Sequence, residues 1–411
     1  MMAQAEPSRP AGAPRAVAVY NRYLNRGGED DVFENDLRLL LRNGWSVVPV
    51  TTRTTVPRGL VASVRFAAET VWSRRWSQRF DAVLRLARPH VVHVVNVFPR
   101  ISPSILSICR RHGVPVVQMV QNYRFGCPRA TFYRRGAVCE LCKGRRFPWA
   151  GVRYRCYHGS ALRTATVGAM TAVHRALGTW RRDVALYVAA SAFSGAKLVE
   201  CGLPAEKVVV RPNFRDPDPG PKTRLGDYAL FVGRLSAEKG VPTLLEAIAA
   251  CPRIPFKLVG EGPLLDAARR FSQTPAGGKA TVLGRRSNRE VIDLMHGARC
   301  LVFPSEWYEG LPMTLVEAFA CGLPVVVASM GASGEAVEHG VSGVHVPPGD
   351  SRALASALLR LWPDEQRLVV LGEGARRAFE RSYTPAASYA RLLEIYRRAG
   401  VALVGEHAAA H

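Results

Sequence analysis

Residues 300–331, CLVFPSEWYEGLPMTLVEAFACGLPVVVASMG, change from strand chemistry to helix chemistry and back within one unit. The apolar run Cys300–Phe303 reads as a short strand, and Pro304-Ser305 ends it. An acidic, aromatic loop follows, Glu306-Trp307-Tyr308-Glu309-Gly310, and Pro312 stands where a helix start tolerates proline. The helix predicted over Met313–Ala320 stops at Gly322, and Pro324 leads into the buried-type strand Val325–Val327. This order predicts an α/β unit on a parallel sheet. Glu309 then lies in the loop at the helix mouth, and Glu317 about a turn inside the helix. Both carboxylates can face the crevice at the strand's carboxyl end, where open α/β sheets bind ligands.

The rest of the second half repeats the unit. Strand Tyr228–Val232 runs into the loop Gly233–Gly240 and the helix Val241–Ala250. Strand Phe256–Val259 is closed by Gly260-Glu261-Gly262-Pro263, and Thr281–Leu283 by Gly284. These loops and Pro304–Gly310 share one sheet edge. Arg234 and Lys239 beside a helix N-terminus suit a diphosphate. Glu309 and Glu317 can accept hydrogen bonds from sugar or ribose hydroxyls, and glycines such as Gly233 permit close approach. The combination suits a nucleotide-sugar.

The first half opens with strand Ala16–Tyr20, the Gly27-Gly28 loop, a helix over Val32–Asn43 and strand Trp45–Val50. Strand Val91–Val97 carries His93 and Asn96, and strand Val114–Val120 ends in Gln121-Asn122. A helix is predicted over Val61–Ala87 with a basic-aromatic face of Arg65, Trp72, Arg74, Arg75, Trp76 and Arg79. That face fits either a membrane interface or aromatics turned to the core with solvated arginines. Pro212–Gly226 reads as the interdomain linker, and its Asp216-Pro217-Asp218 pair reads as incidental.

Cys127, Cys139, Cys142 and Cys156 break the α/β rhythm. The Cys139-x-x-Cys142 knuckle and four thiols in a segment with little to bury favour a structural, tetrahedral zinc. An iron–sulfur cluster and unmetallated or redox thiols are the alternatives. Cys109, Cys201, Cys251, Cys300 and Cys321 lie singly in apolar segments and read as core residues.

With 411 residues, 48% hydrophobic and 22% charged, the composition is that of a globular chain long enough for two cores. The Pro/Ala-rich start reads as a tail without a signal-peptide core, and no apolar run is long enough to span a membrane, so a cytoplasmic location is expected. The net charge of +23 favours anionic partners, an anionic membrane surface or phosphorylated substrates among them. No nucleic-acid-binding motif appears, so no nucleic acid is expected.

FVGRLSAEKG (231–240), VGEGP (259–263) and EGLPMTLVEAFACGLPVV (309–326) resemble the donor-side signatures of retaining family 4 glycosyltransferases of the GT-B fold. The resemblance implies two Rossmann-like domains with parallel sheets facing a cleft. It gives Arg234 and Lys239 the diphosphate, Glu317 the ribose and Glu309 the donor sugar, with backbone N–H groups at Gly310 and Leu311. Gly28 would approach the donor phosphate, and Gly233, Glu261 and Gly262 would complete the donor side. His93, Asn96 and Asn122 stand where acceptor-side residues are sought, although the family's H-x-H reads His93-Val-Val-Asn96 here. The cysteine segment resembles an insertion in members that build cell-surface polysaccharide. The implied layout is a tail at 1–14, an acceptor-binding domain at 15–213 with the insertion at 124–158, a linker at 214–226, a donor domain at 227–383, and a helix at 384–400 that crosses back. The expected partners are a nucleotide-diphosphate sugar and a glycan or lipid-linked acceptor, with no cofactor obligatory for the chemistry. A non-catalytic binding homologue, or another nucleotide-sugar enzyme such as a phosphorylase or epimerase, is the alternative.

Overall fold

The computed structural model describes residues 13–24, 27–55 and 57–402; residues 1–12 of the expected tail and the final 403–411 lie outside these. The first domain follows the order β1 (Arg15–Arg22), α1 (Gly28–Arg42), β2 (Ser46–Arg53), α2 (Leu60–Val71), α3 (Arg74–Ala87), β3 (Val91–Asn96), α4 (Ser104–Arg111) and β4 (Val116–Val120). A short hairpin of β5 (Tyr133–Arg134) and β6 (Ala137–Val138) comes next, with α5 (Trp149–Arg153), α6 (Ala161–Ala176), α7 (Thr179–Arg182), β7 (Leu186–Ala189), α8 (Ala192–Glu200) and β8 (Val208–Val210). The second domain contains β9 (Tyr228–Val232), α9 (Val241–Ala249), β10 (Phe256–Val259), α10 (Leu265–Ser272), β11 (Ala280–Gly284), α11 (Asn288–Gly297), β12 (Ala298–Phe303), α12 (Met313–Ala320), β13 (Val325–Ala328), α13 (Gly331–Ala336), β14 (Gly343–Val346), α14 (Ser351–Leu361) and α15 (Glu365–Ser382). The helix α16 (Pro385–Arg398) comes last.

Each domain is built on a six-stranded sheet, ordered β2-β1-β3-β4-β7-β8 and β11-β10-β9-β12-β13-β14. Every pairing within these two sheets is parallel. Strands such as Val325–Ala328, buried at every position, show why: a parallel sheet is covered on both faces, so its strands are apolar throughout. The strand order reverses between β9 and β12 and between β1 and β3, and each reversal opens a crevice at the carboxyl ends. The fold therefore aims the loop after β9 and the loop after β12 at one place.

Local chemistry moves several helix ends from the predicted positions. The helix expected over Val61–Ala87 is two, because Trp72 is extended and the Ser73 hydroxyl accepts from the Trp76 N–H to cap α3. Helix α1 begins at Gly28 with Glu29, Asp30 and Asp31 in its first turn, where the helix dipole favours acids. Helix α11 begins at Asn288, a turn earlier than the apolar spacing indicates, because Ser287 and Glu290 form a reciprocal capping box.

Helix α16 returns to the first domain and buries Leu392, Ile395 and Tyr396 among Ala16, Phe33, Trp45 and Val91. Beneath it lies a charged network with almost no solvent contact. Arg211 Nη2 donates to Asp36 at 2.6 Å, His93 Nε2 meets the other Asp36 oxygen at 3.1 Å, and His93 Nδ1 meets the Tyr396 hydroxyl at 2.9 Å. Burial pushes the Asp36 carboxyl up, but Arg211 and His93 outweigh it and hold the group below the usual carboxylate range. A carboxyl depressed in the folded state contributes stability above its unfolded value, about 3.9, and loses it as pH falls below that. Asp36→Ala should therefore cost about 3–5 kcal/mol near neutral pH by stranding Arg211, with a smaller deficit in acid. Urea unfolding at several pH values checks this.

Candidate active site

A cavity of about 900 Å³ lies between the domains. The first domain contributes Gly27, Gly28, Glu29, Asp31, Gln121 and Asn213 to its wall. The second contributes Gly233, Lys239, Arg285, Arg286, Asn288, Trp307 and the run Glu309–Thr314 with Glu317. Of the residues singled out from sequence, Gly28, Gly233, Lys239, Glu309, Gly310, Leu311 and Glu317 thus meet in one place.

Glu309 is held from several sides. One carboxylate oxygen accepts from Lys239 Nζ at 2.5 Å, from the Ser305 hydroxyl at 2.7 Å and from Trp307 Nε1 at 2.8 Å. Its backbone carbonyl accepts from the Tyr123 hydroxyl at 3.0 Å; that of Gly310 accepts from Ser191 at 2.8 Å, and that of Leu311 from Asn213 Nδ2 at 2.9 Å. The loop's carbonyls are thereby turned to the first domain. The loop then runs into the first turn of α12, whose residues Met313 and Thr314 line the cavity, so the N–H groups of a helix start border it.

Glu317 is buried and accepts from Arg215 at 3.1 Å and Asn288 Nδ2 at 2.8 Å. Burial pushes its carboxyl up, and Arg215 opposes that. Neither partner was visible from sequence, because they lie 102 and 29 residues away along the chain. The Arg285-Arg286 pair after Gly284 was also missed; two adjacent arginines at a strand end were the available signal.

The remaining expected residues lie off this wall. Arg234 is exposed and does not line the cavity, so the two-cation clamp is represented there by Lys239 alone of the pair. Glu261 and Gly262 are not on its wall either. Their loop packs backbone against backbone on the β9 loop: Leu235 N–H donates to Glu261 O at 2.9 Å. A Cβ on Gly260, at φ +141°, would meet Gly233 O at 1.8 Å. Those glycines are required by packing. His93, expected on the acceptor side, is locked in the buried network under α16 and lies away from the cavity. Asn96 is spent internally, donating to Asn21 O and accepting from Phe98 N–H.

Asn122 does reach the site, through a partner. Its amide donates to Glu29 Oε1 at 2.7 Å, while Glu29 Oε2 is shielded from water and accepts no hydrogen bond among the described residues. Burial pushes the Glu29 carboxyl up, against the pull of Asn122 and Arg124. Arg124 lies 4.0 Å over the Phe98 ring and donates to Tyr23 at 3.4 Å.

Cys127, Cys139, Cys142 and Cys156 all line one small cavity of about 20 Å³ around the β5–β6 hairpin. As they stand, neither these four nor any other group of three or more His, Cys, Asp or Glu among the described residues is arranged to hold a metal ion. Asp216 and Asp218 of the linker pair with Arg42 and Arg376 respectively, in two different domains, which leaves them no joint metal role.

Residues 218–378 match a family model described as glycosyl transferases group 1. The O-antigen chain mannosyltransferase C of Escherichia coli is 34% identical over 163 residues, which is 39% of this chain and 44% of that one. The amylovoran biosynthesis glycosyltransferase AmsK of Erwinia amylovora is 30% identical over 221 residues, or 49% and 53% of the two chains. The chain spans about half the length of these curated relatives. Anabaena HepE, solved with UDP and glucose, superposes with a TM-score of 0.64 at 18% identity, covering 92% of this chain and 98% of that one. Sucrose-phosphate synthase of Thermosynechococcus elongatus gives 0.67 at 17% identity, over 94% and 98%.

A carboxyl raised in the folded state contributes stability that is present below its unfolded value, about 4.3, and lost as pH rises through the folded value. Glu29→Gln keeps an acceptor for Asn122 and removes the charge. It should raise the thermal midpoint at neutral pH, with the gap to wild type closing below about pH 4. Calorimetry across that range checks the assignment.

By its two parallel six-stranded sheets and these superpositions the chain has the GT-B fold, and its second domain is the part that matches the glycosyl transferases group 1 model.

Proposed function

We propose that this chain is a retaining, family 4 hexosyltransferase that moves a sugar from a nucleotide-diphosphate donor to a glycan or lipid-linked acceptor in cell-surface polysaccharide synthesis on the cytoplasmic side. The observation that carries the reading is the placement of Lys239, Glu309, Glu317 and the α12 start around one cavity at the strand-order reversal of the second sheet. Relatives named for O-antigen and amylovoran assembly, and a neighbour solved with UDP and glucose, support it.

In this reading the helix start, Lys239 and the Arg285-Arg286 pair receive the diphosphate, and Glu317 receives the ribose hydroxyls. Glu309 positions the donor sugar. The bond from the anomeric carbon to the diphosphate oxygen breaks as the acceptor oxygen forms its bond on the same face. The acceptor proton passes to the departing diphosphate. Charge builds on the leaving group, so a fixed cation beside it lowers the barrier without a metal ion in the step. The Lys239–Glu309 pair suits this, because Ser305 and Trp307 hold the carboxylate, and with it the ammonium, in place.

Lys239→Ala should slow transfer by roughly 10²–10³-fold while the chain stays folded, since Ser305 and Trp307 still hold the Glu309 carboxylate. Glu317→Gln should weaken nucleoside-diphosphate binding by roughly tenfold, as loss of a charge-assisted hydrogen bond does. Transfer assays with a panel of nucleotide-sugars, NMR of the product's anomeric configuration and an unchanged rate in EDTA test the proposal. Wild-type turnover in Lys239→Ala, or an inverted anomer, overturns it.

Structural zinc in the cysteine segment is a second proposal. It rests on donor chemistry, four thiols around one small cavity, and on the few aliphatic side chains in that segment. Elemental analysis of the purified chain should find about one zinc per molecule. Four freely reacting thiols and no metal overturn it.

A further inference from the structure

Helix α2 is apolar on both its inward and its outward side. Among its twelve residues Thr70 alone is buried, although the sequence LVASVRFAAETV is largely apolar. Leu60 is 77% exposed, Val61 83% and Val64 56%, and Trp72 just past its end is 39% exposed. Val61, Val64 and Ala68 recur at helical spacing and form one outward stripe, and Trp72, extended just past the helix end, is exposed as well. The opposite side faces α6, and Val71 joins the cluster of Phe98, Val167 and Met170. A surface helix normally buries its apolar residues, and an exposed apolar stripe beside a buried one marks a contact surface.

The border of the stripe is basic. Arg58, Arg65, Arg74 and Arg75 are exposed around it, and Glu69 is paired with Arg65 at 3.0 Å. With a net charge of +23, two copies of the chain repel each other, while an anionic surface attracts both the border and the molecule as a whole. An apolar stripe with a terminal tryptophan and an arginine rim matches the boundary between lipid headgroups and acyl chains.

We propose that the α2 stripe, with Trp72 and its arginine border, is the surface by which this chain lies on an anionic lipid bilayer. The helix that carries the stripe packs on the first domain. Val71 shares its cluster with Tyr23, which Arg124 hydrogen-bonds, and Arg124 follows two residues after Asn122, the partner of Glu29. This deepens the proposed function by supplying a route for an acceptor anchored in lipid, and it rests on that reading for its purpose only. Binding to lipid can be measured without donor or acceptor, so the two ideas fail separately.

The experiment is co-flotation of the full chain with phosphatidylcholine vesicles that contain phosphatidylglycerol, and with phosphatidylcholine alone. The expected result is flotation with the anionic vesicles only, weakening as salt rises. The double variant Val61→Glu, Val64→Glu should float roughly tenfold less while binding UDP as wild type does. Should that variant fail to fold, brominated lipid gives a second measurement on folded protein. It should quench the fluorescence of the wild type more than that of Trp72→Phe. Equal flotation with both lipids, full flotation of the double variant, or no difference in quenching on replacing Trp72 would overturn the proposal. So would a concentration-dependent dimer that the glutamates abolish, which would assign the stripe to a second copy of the chain.

Discussion

The carboxylate of Glu309 and the carbonyls around it are the point at which the two domains become one site. Lys239, Ser305 and Trp307 hold the side chain from the second domain. Tyr123, Ser191 and Asn213 hold the backbone from the first. A loop fixed this way cannot shift without breaking bonds to both sheets, so the start of α12 and the Lys239 ammonium keep their places. Preorganised charge of this kind is what transfer from a diphosphate needs, since the protein then reorganises little as the leaving group departs. The cysteine segment adds to the restraint through Phe132, which meets Tyr308 edge-on at 6.3 Å, and α8 adds Phe193, which meets the same ring at 4.9 Å. The Glu140 and Glu200 carboxylates, bridged by Lys143 and Lys197, tie the segment to α8.

The second constraint is the cost of burying charge. Arg211, Asp36 and His93 are each under 3% exposed, which is tolerable only because every one is paired. That pairing decides what His93 does. A histidine whose two ring nitrogens are taken by Asp36 and Tyr396 has nothing left for a substrate and serves to seat α16. The first domain therefore meets the cavity with other groups, above all Glu29, whose Oε2 has no hydrogen-bond partner among the described residues. That carboxylate comes from the start of α1, next to the glycines singled out from sequence.

Much of the architecture was legible because it rests on local rules. Apolar runs ended by glycine and proline marked the parallel strands, and Gly322 and Pro312 bounded α12 at the predicted residues. The motif residues Gly28, Gly233, Lys239, Glu309, Gly310, Leu311 and Glu317 did converge on one cavity, since loops after parallel strands share an edge. Helix starts at Asn288 and at Arg74 were misplaced because capping by Ser287 and Ser73 overrode the apolar spacing.

What the sequence by itself determined was the kind of fold and the edge on which the chemistry sits, because periodicity and turn residues act over a few positions. Tertiary structure alone decided which charges are free and which are spent. Arg215 and Asn288 meet Glu317, Asn122 meets Glu29, and Asp36 meets both Arg211 and His93, all between segments far apart in the chain. It alone showed which apolar residues of α2 are left exposed, since periodicity marks a stripe but not the direction it faces. Burial, pairing and exposure are properties of the packed molecule, because each depends on what two distant segments leave between them.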